Sequence, residues 1–343
     1  MGRGVAFEDK ELQALLSHWE QVLKQKSPVH PKKKKVIVIS GPTAVGKTQL
    51  SLIIARALGG EIISADSMQV YRGMDIGTAK ASKGDRIEVP HHLIDSRDLD
   101  ENFSVIDFYQ EANQSIREIF SKGRVPIVVG GTGFYLHALI YGPPSGPTSV
   151  PEVRKRLEEE MEAQGPLVLY DRLREKDPDY AKTITFRDRH KIVRGLEIME
   201  LTGQKVSSFS KSGDKESSEY DFRCWFLYKP KEVLYPLIEK RCEDMLRDGL
   251  VAEVMQLEKE GLRNNQTAVQ AIGYKQCLEF LKTAQTPDDY EQFVAHFKQA
   301  SRRYAKRQLT WFRKETLFRW VDLQEISMEM AAEMIIQDCE LSF

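Results

Sequence analysis

The sequence predicts an α/β fold, a P-loop NTPase-like parallel sheet flanked by helices, with a helical insertion domain. Three patterns carry that expectation. Residues 36–39 form an unbroken β-branched run that stops at Gly41 and Pro42, as expected of a strand buried on both faces of a parallel sheet. Similar runs return at 61–65 and 125–129, with helical periodicity over 104–120 between them, and strand alternating with helix builds right-handed parallel units. The break Gly142-Pro-Pro-Ser-Gly-Pro147 then opens a charged, helix-like stretch with few β-branched runs, reaching to about Gly203.

Taken in order, residues 1–35 read as an N-terminal helical extension and linker. Leu12, Leu15, Leu16, Trp19 and Leu23 recur at helical spacing, and a polar run with prolines and Lys32 to Lys35 follows. The catalytic core is expected over 36–142 and 204–320, with strand 36–39, helix 48–58 and the two further strands in its first half. Residues 143–203 are the expected insertion. The Ser-, Lys- and acid-rich tract 207–219 has the low hydrophobicity of a mobile loop. A strand is expected at 223–227, helices over 233–260 and 290–314, and a C-terminal tail over 321–343.

Composition narrows the class. With 41% hydrophobic and 29% charged residues, the chain has ordinary globular usage, which excludes a fibrous or wholly disordered protein. Its 50 Lys and Arg against 51 Asp and Glu leave a formal charge of −1, so attraction to nucleic acid must come from a local patch. Cys224, Cys242, Cys277 and Cys339 lie too far apart for a zinc ribbon or redox pair and read as thiols in a reducing compartment. No apolar run is long enough to span a bilayer. The start mixes acids and bases, unlike a transit peptide or signal, so a cytoplasmic location is expected, or a plastid or mitochondrion if a transit segment is missing.

Gly41-Pro42-Thr43-Ala44-Val45-Gly46-Lys47-Thr48 fits G-x-x-x-x-G-K-[ST] and sits between a strand and a helix, as that pattern requires. Backbone N–H groups curl around phosphate oxygens, the helix N-terminus favours negative charge, Lys47 neutralises it, and Thr48 can hold Mg²⁺. Any diphosphate satisfies such a loop.

Asp66 closes the run 61–65, which places it at the carboxyl edge beside the phosphate loop. It could act as a general base, as a group near Mg²⁺, or simply as a helix cap. Gly130-Gly131-Thr132-Gly133 ends the next strand on the same edge, where N–H groups and the Thr132 hydroxyl could stabilise a departing diphosphate. His91 and His92 precede Asp95, but adjacent histidines point apart and no further ligand has metal spacing. Lys298, Arg302 and Lys306, with Arg303 and Arg307, form a basic stripe suited to an RNA backbone or to a solvated face. Tyr304, Trp311 and Phe312 read as core. These motifs by themselves fit a nucleotide kinase as well as a transferase.

Together, GPTAVGKT, EIISADSMQVYRGMDIGTAK, PHHLID, VPIVVGGTGFYLHALIYG, AIGYKQ and AKRQLTWFRK resemble the tRNA dimethylallyltransferases, also called tRNA isopentenyltransferases, over most of residues 36–314. The resemblance implies transfer of a dimethylallyl group from dimethylallyl diphosphate to N6 of the adenosine beside the anticodon. It implies that Gly41 through Thr48 hold the diphosphate with Mg²⁺ at Thr48, that Arg241 adds a further contact, that Asp66 is the base, and that Thr132 faces the bridging oxygen. For tRNA it implies Asp66, Ser67, Met68, Gln69, Arg154, His190, Lys191, Arg194, Gln270, Ala271, Ile272, Gly273, Tyr274 and Lys275, joined by Arg303, Lys306 and Arg307. The target adenine must leave the anticodon-loop stack, which a single-stranded loop permits.

Two features depart from the family pattern. The insert reads HKIVRGLE where the family has something closer to QRLVRALE. The sequence also ends at Phe343 without the zinc finger of many eukaryotic members, so the expected form is the short one or a truncated one. The alternatives are an adenylate dimethylallyltransferase acting on free AMP, ADP or ATP, as in cytokinin synthesis, and a small-molecule kinase that binds ATP. The expected partners are tRNA and dimethylallyl diphosphate, with no membrane and no obligate protein partner.

Overall fold

The computed structural model describes residues 33–209 and 219–340. The expected helix within 1–26, most of the linker after it, and most of the tract 207–219 lie outside the described residues. The described residues fall into two compact units, one from 33–140 with 219–340 and one from 141–209.

The first unit is built on six strands: β1 (Lys34–Ser40), β2 (Glu61–Ser64), β3 (His91–His92), β4 (Pro126–Val129), β5 (Tyr220–Tyr228) and β6 (Arg319–Asp322). Their order is β3-β2-β4-β1-β5-β6, and every pairing is parallel. Val36, Ile37, Val38 and Ile39 are wholly buried at the centre, which is why β1 needs apolar residues on both faces. Lys34 and Lys35, expected in the linker, belong to β1 and register with Tyr220 and Asp221. The strand runs on because its edges pair with β5 beyond the apolar segment.

Helices return the chain from the carboxyl edge of the sheet to the amino edge, where the next parallel strand starts. They are α1 (Lys47–Leu58), α2 (Lys83–Glu88), α3 (Val105–Ser121) and α4 (Gly133–Tyr141) in the first half. Ser82 with Asp85 and Ser104 with Asp107 form capping boxes that start α2 and α3, each box satisfying two otherwise unpaired N–H groups.

The second unit holds α5 (Pro151–Gln164), α6 (Pro166–Lys176), α7 (Pro178–Ala181) and α8 (Arg189–Thr202). Proline starts the first three, where its missing N–H costs nothing. Leu157, Met161, Leu169, Leu173, Ile192, Val193 and Leu196 form its small core. Residues 204–209, expected in the catalytic core, belong here: buried Asp177 accepts from Ser207 N at 2.8 Å and Ser207 Oγ at 2.7 Å.

The chain re-enters the first unit through β5 and continues into α9 (Lys231–Arg247), α10 (Leu250–Lys259), α11 (Tyr274–Phe280), α12 (Pro287–Phe312) and α13 (Met328–Glu340). Of the segment 321–343, expected as a tail, residues 321–340 are instead integral. β6 pairs with β5, and Asp338 of α13 lies buried between Arg223 and Arg319, each at 2.7 Å. Once buried, that carboxylate requires cationic partners, and the two strands supply them.

Candidate active site

At the end of β1 the chain turns through the phosphate loop into α1. Gly41 has φ 156° with the Leu227 carbonyl only 2.5 Å from where a Cβ would stand, so no other residue fits. Lys47 at the start of α1 folds over the loop, donating from Nζ to the Gly41 and Pro42 carbonyls at 2.9 Å each. Burial first, and the Arg241 charge second, pull its pKa down to about 7 against the opposing pull of Asp66. Arg241, from α9, is likewise lowered by burial, with Asp66 opposing.

These groups share a cavity of about 800 Å³. Its walls include Thr43 through Thr48, Asp66, Lys240, Arg241 and Tyr304, gathered from the ends of β1 and β2 and from α9 and α12. A second cavity of about 230 Å³ has a more apolar wall containing Met68, Ile238, Ile272 and Phe297. Thr43, Asp66, Thr78, Arg241, Met245 and Tyr304 line both. Asp66 follows β2 and accepts from Met68 N–H through Oδ1 at 2.9 Å, a local turn that fixes the carboxylate on the common wall. The cavity-facing reading of Asp66 is realised, whereas the helix-cap reading is not: the chain after it turns and forms no helix before Lys83.

Thr132 follows β4, and its Oγ1 accepts from Ser67 N–H at 3.3 Å. Tyr304 lies beside it, hydrogen-bonded to the Thr132 side chain, and its phenol is pushed up by burial first and then by the Asp66 charge. Tyr304, expected in the core, thus lines the site. Trp311 is 40% exposed against an expectation of core, while Phe312 is fully buried. Gln308, one turn beyond Tyr304, links the phosphate loop to the glycine loop: its Oε1 accepts from Thr43 N–H and its Nε2 donates to the Gly131 carbonyl, each at 3.0 Å.

Of the residues expected to meet tRNA, Ser67, Met68, Gln270, Ala271, Ile272 and Arg307 line the second cavity, and Gln69 lines the first. Tyr274 does not: it is fully buried, its hydroxyl donating to Glu253 at 2.5 Å, because its ring packs where Gly77 leaves room. Gly273 holds the positive φ of 91° that turns the chain into α11, and Lys275 donates to Gln270 at 2.8 Å. The basic stripe of α12 divides. Lys298 pairs with Glu243 and Arg302 with Glu239, both acids of α9, whereas Arg303, Lys306 and Arg307 are exposed with no carboxylate in ion-pair reach among the described residues.

In the second unit, His190 and Lys191 are exposed on α8. Arg154 pairs with Glu158 at 3.2 Å, and Arg194 holds Glu197 at 2.8 Å while also donating to the Pro147 carbonyl. Buried Glu197 in turn accepts from Val150 N–H at 2.8 Å and Ser149 Oγ at 2.5 Å. Arg194 is therefore part of the unit's own scaffold.

His92 pairs with buried Glu61 at 2.6 Å, and no group of three metal-binding side chains occurs among the described residues. Glu253 escaped the sequence reading altogether. Its carboxylate accepts from the N–H groups of Asp75, Ile76 and Gly77 at 3.1, 2.7 and 3.2 Å, holding the loop that leads to Thr78 on the common wall. Its helical surroundings look like any surface helix, and only the fold brings the loop to it.

A phosphate-type loop on a parallel sheet, sharing a cavity with a carboxylate and an arginine, suits an enzyme of group transfer from a phosphorylated donor. The family model described as IPP transferase matches residues 69–315, and the chain belongs to that family. It is 56% identical to the tRNA dimethylallyltransferase of Protochlamydia amoebophila over 97% of this chain and 98% of that one. With the corresponding protein of Chlamydia pneumoniae it shares 47% identity, covering 89% of this chain and 90% of that one. Among solved structures, the full-length tRNA isopentenylpyrophosphate transferase of Bacillus halodurans is 39% identical with a TM-score of 0.66, covering 91% of this chain and 98% of that one. A eukaryotic dimethylallyltransferase acting on tRNA is 30% identical with a TM-score of 0.71, covering 86% and 75% respectively.

Proposed function

We propose that this chain transfers the dimethylallyl group of dimethylallyl diphosphate to N6 of the adenosine adjacent to the anticodon in tRNA, giving N6-isopentenyladenosine. The observation that carries this reading is the position of Asp66 on the wall common to the phosphate-loop cavity and the more apolar cavity beside it. A donor with its diphosphate in the first and an adenine entering the second meet at that carboxylate. The relatives' activity on tRNA supports the acceptor.

In this reading N6 attacks the allylic carbon, the N–C bond forms as the C–O bond to diphosphate breaks, and Asp66 takes the amine proton. Lys47, Arg241 and the loop N–H groups receive the charge developing on the diphosphate, and Thr132 donates to the departing oxygen. Mg²⁺ is proposed as the partner of the diphosphate. Thr48 stands exposed on the cavity wall and no three-carboxylate cluster competes among the described residues, a donor set that suits a cation held chiefly by phosphate oxygens and water. When bound, it neutralises charge on the leaving group.

Arg303, Lys306 and Arg307 are the proposed backbone contacts, with His190, Lys191 and Arg154 proposed on the second unit. Four buried, unpaired cysteines fit a reducing compartment, and the cytoplasm is the proposed location. The test is incubation with dimethylallyl diphosphate and Mg²⁺, with either unmodified tRNA carrying adenosine beside the anticodon or free AMP, followed by mass analysis of nucleosides. Isopentenyladenosine from tRNA alone is expected. Product from AMP alone, or ATP consumption without prenyl transfer, would overturn the proposal.

A further inference from the structure

We propose that Gln308 is a positioning residue for prenyl transfer: its side-chain amide ties the loop that holds the diphosphate to the loop that carries Thr132, keeping the two at one spacing. The inference rests on the transfer activity proposed above.

Gln308 lies 5% exposed on α12 and touches two backbone groups from distant parts of the chain. Oε1 accepts from Thr43 N–H and Nε2 donates to Gly131 C=O, both at 3.0 Å. The two partners dictate the orientation of the amide, since an N–H can only donate and a carbonyl can only accept. A primary amide offers a donor and an acceptor side by side on one side chain that stays uncharged at every working pH.

Gly131 is shaped to this contact: a Cβ there would stand 2.1 Å from Gln308 Nε2, so any side chain at 131 would expel the amide. The link also falls where alignment matters. Thr43 lies in the phosphate loop, and Gly131 precedes Thr132, the residue proposed above to donate to the leaving oxygen. The strands below join these loops through Gly130 N–H to the Ile39 carbonyl at 3.1 Å and Ser40 Oγ to the Gly130 carbonyl at 2.9 Å, and Gln308 adds a tie further along both loops. In a displacement, a shift of about 1 Å between donor and stabilising groups costs roughly a hundredfold in rate. Gln308 contributes nothing to the outer face of α12, so the loss belongs to the chemical step and not to tRNA affinity.

Two variants test this. Q308M keeps the volume and removes both hydrogen-bonding functions, while Q308E keeps the acceptor for Thr43 and loses the donor for Gly131. Single-turnover transfer, tRNA binding by filter retention and thermal unfolding are measured on each, over pH 6 to 8. For Q308M, transfer is expected to fall about tenfold or more with the tRNA dissociation constant within about twofold of wild type. For Q308E, the rate relative to wild type is expected to climb as pH falls, because the protonated carboxyl again presents an O–H to Gly131 and a carbonyl to Thr43. Transfer by Q308M within about twofold of wild type, or a Q308E ratio flat across pH, overturns the inference. If Q308M does not fold, the Q308E profile decides alone. Absence of product from wild type would remove the proposed activity itself, whereas normal product with unaffected variants removes only the role of Gln308.

Discussion

The carboxyl edge of the sheet and the helical second unit handle charge in opposite ways. In the second unit cations are spent on neighbours: Arg194 on Glu197, Arg172 on Glu160, Arg154 on Glu158. At the sheet edge, Lys47 and Arg241 share a cavity with Asp66, yet neither has a carboxylate in ion-pair reach among the described residues, and burial lowers the pKa of both. A paired charge holds a fold together. A half-buried cation without a pair is held in an unfavourable state that an incoming anion relieves, which is the physical content of a phosphate site.

The sharpest way to break the comparison is at Asp66. D66N retains the Oδ1 acceptor for Met68 N–H but cannot take a proton, so single-turnover transfer should fall on the order of a thousandfold while tRNA binding is unchanged. Equal turnover by the variant would remove Asp66 as the base.

Next comes Lys47. Its pKa of about 7 without ligand must rise when diphosphate neutralises the burial penalty, so binding takes up a proton above pH 7. Affinity for inorganic pyrophosphate should therefore be highest near and below pH 7 and decline from pH 7.5 to 9, by at most about tenfold per pH unit. Calorimetry in buffers of different ionisation enthalpy reads the proton directly. K47M should bind roughly 10- to 100-fold more weakly and lose the slope; an unchanged slope would place the titrating group elsewhere.

In the second unit the corresponding change is structural. R194A leaves buried Glu197 without its guanidinium, and because Arg194 is itself partly exposed the loss should be near 2 kcal/mol at most. Faster hydrogen exchange over 147–150 and 189–202 is the expected signature. Exchange rates equal to wild type would show that the pair contributes nothing there.

The smallest effects divide the stripe of α12. R303A and R307A should each lower the slope of log affinity for tRNA against log salt by about one, whereas R302A, whose charge is already held by Glu239, should leave it unchanged. Equal slopes for R302A and R307A would erase the distinction.

Much of this was legible in the residues. The β-branched run 36–39, the glycine-lysine loop after it and the repeated strand-to-helix alternation mark a parallel sheet with a phosphate loop, because each is a local pattern set by backbone geometry and burial. Asp66 and Thr132 could be placed on the same edge because strand ends in a parallel sheet share that edge. The short strand His91–His92 could not, since a pair of residues has no periodicity to read. Arg302 and Arg307 look alike in sequence, and only the acids of α9 separate them.

By itself, then, the sequence determined the sheet, the phosphate loop and the side of the sheet where chemistry occurs, all of which follow from short-range periodicity and one chain direction. Tertiary structure alone decided that Gln308 and Glu253 serve the site, that Tyr274 is core while Tyr304 faces the cavity, and that residues beyond 320 complete the sheet through Asp338 and two arginines. Those outcomes depend on which groups meet across hundreds of residues, and a buried hydrogen bond leaves no mark on the local pattern of either partner.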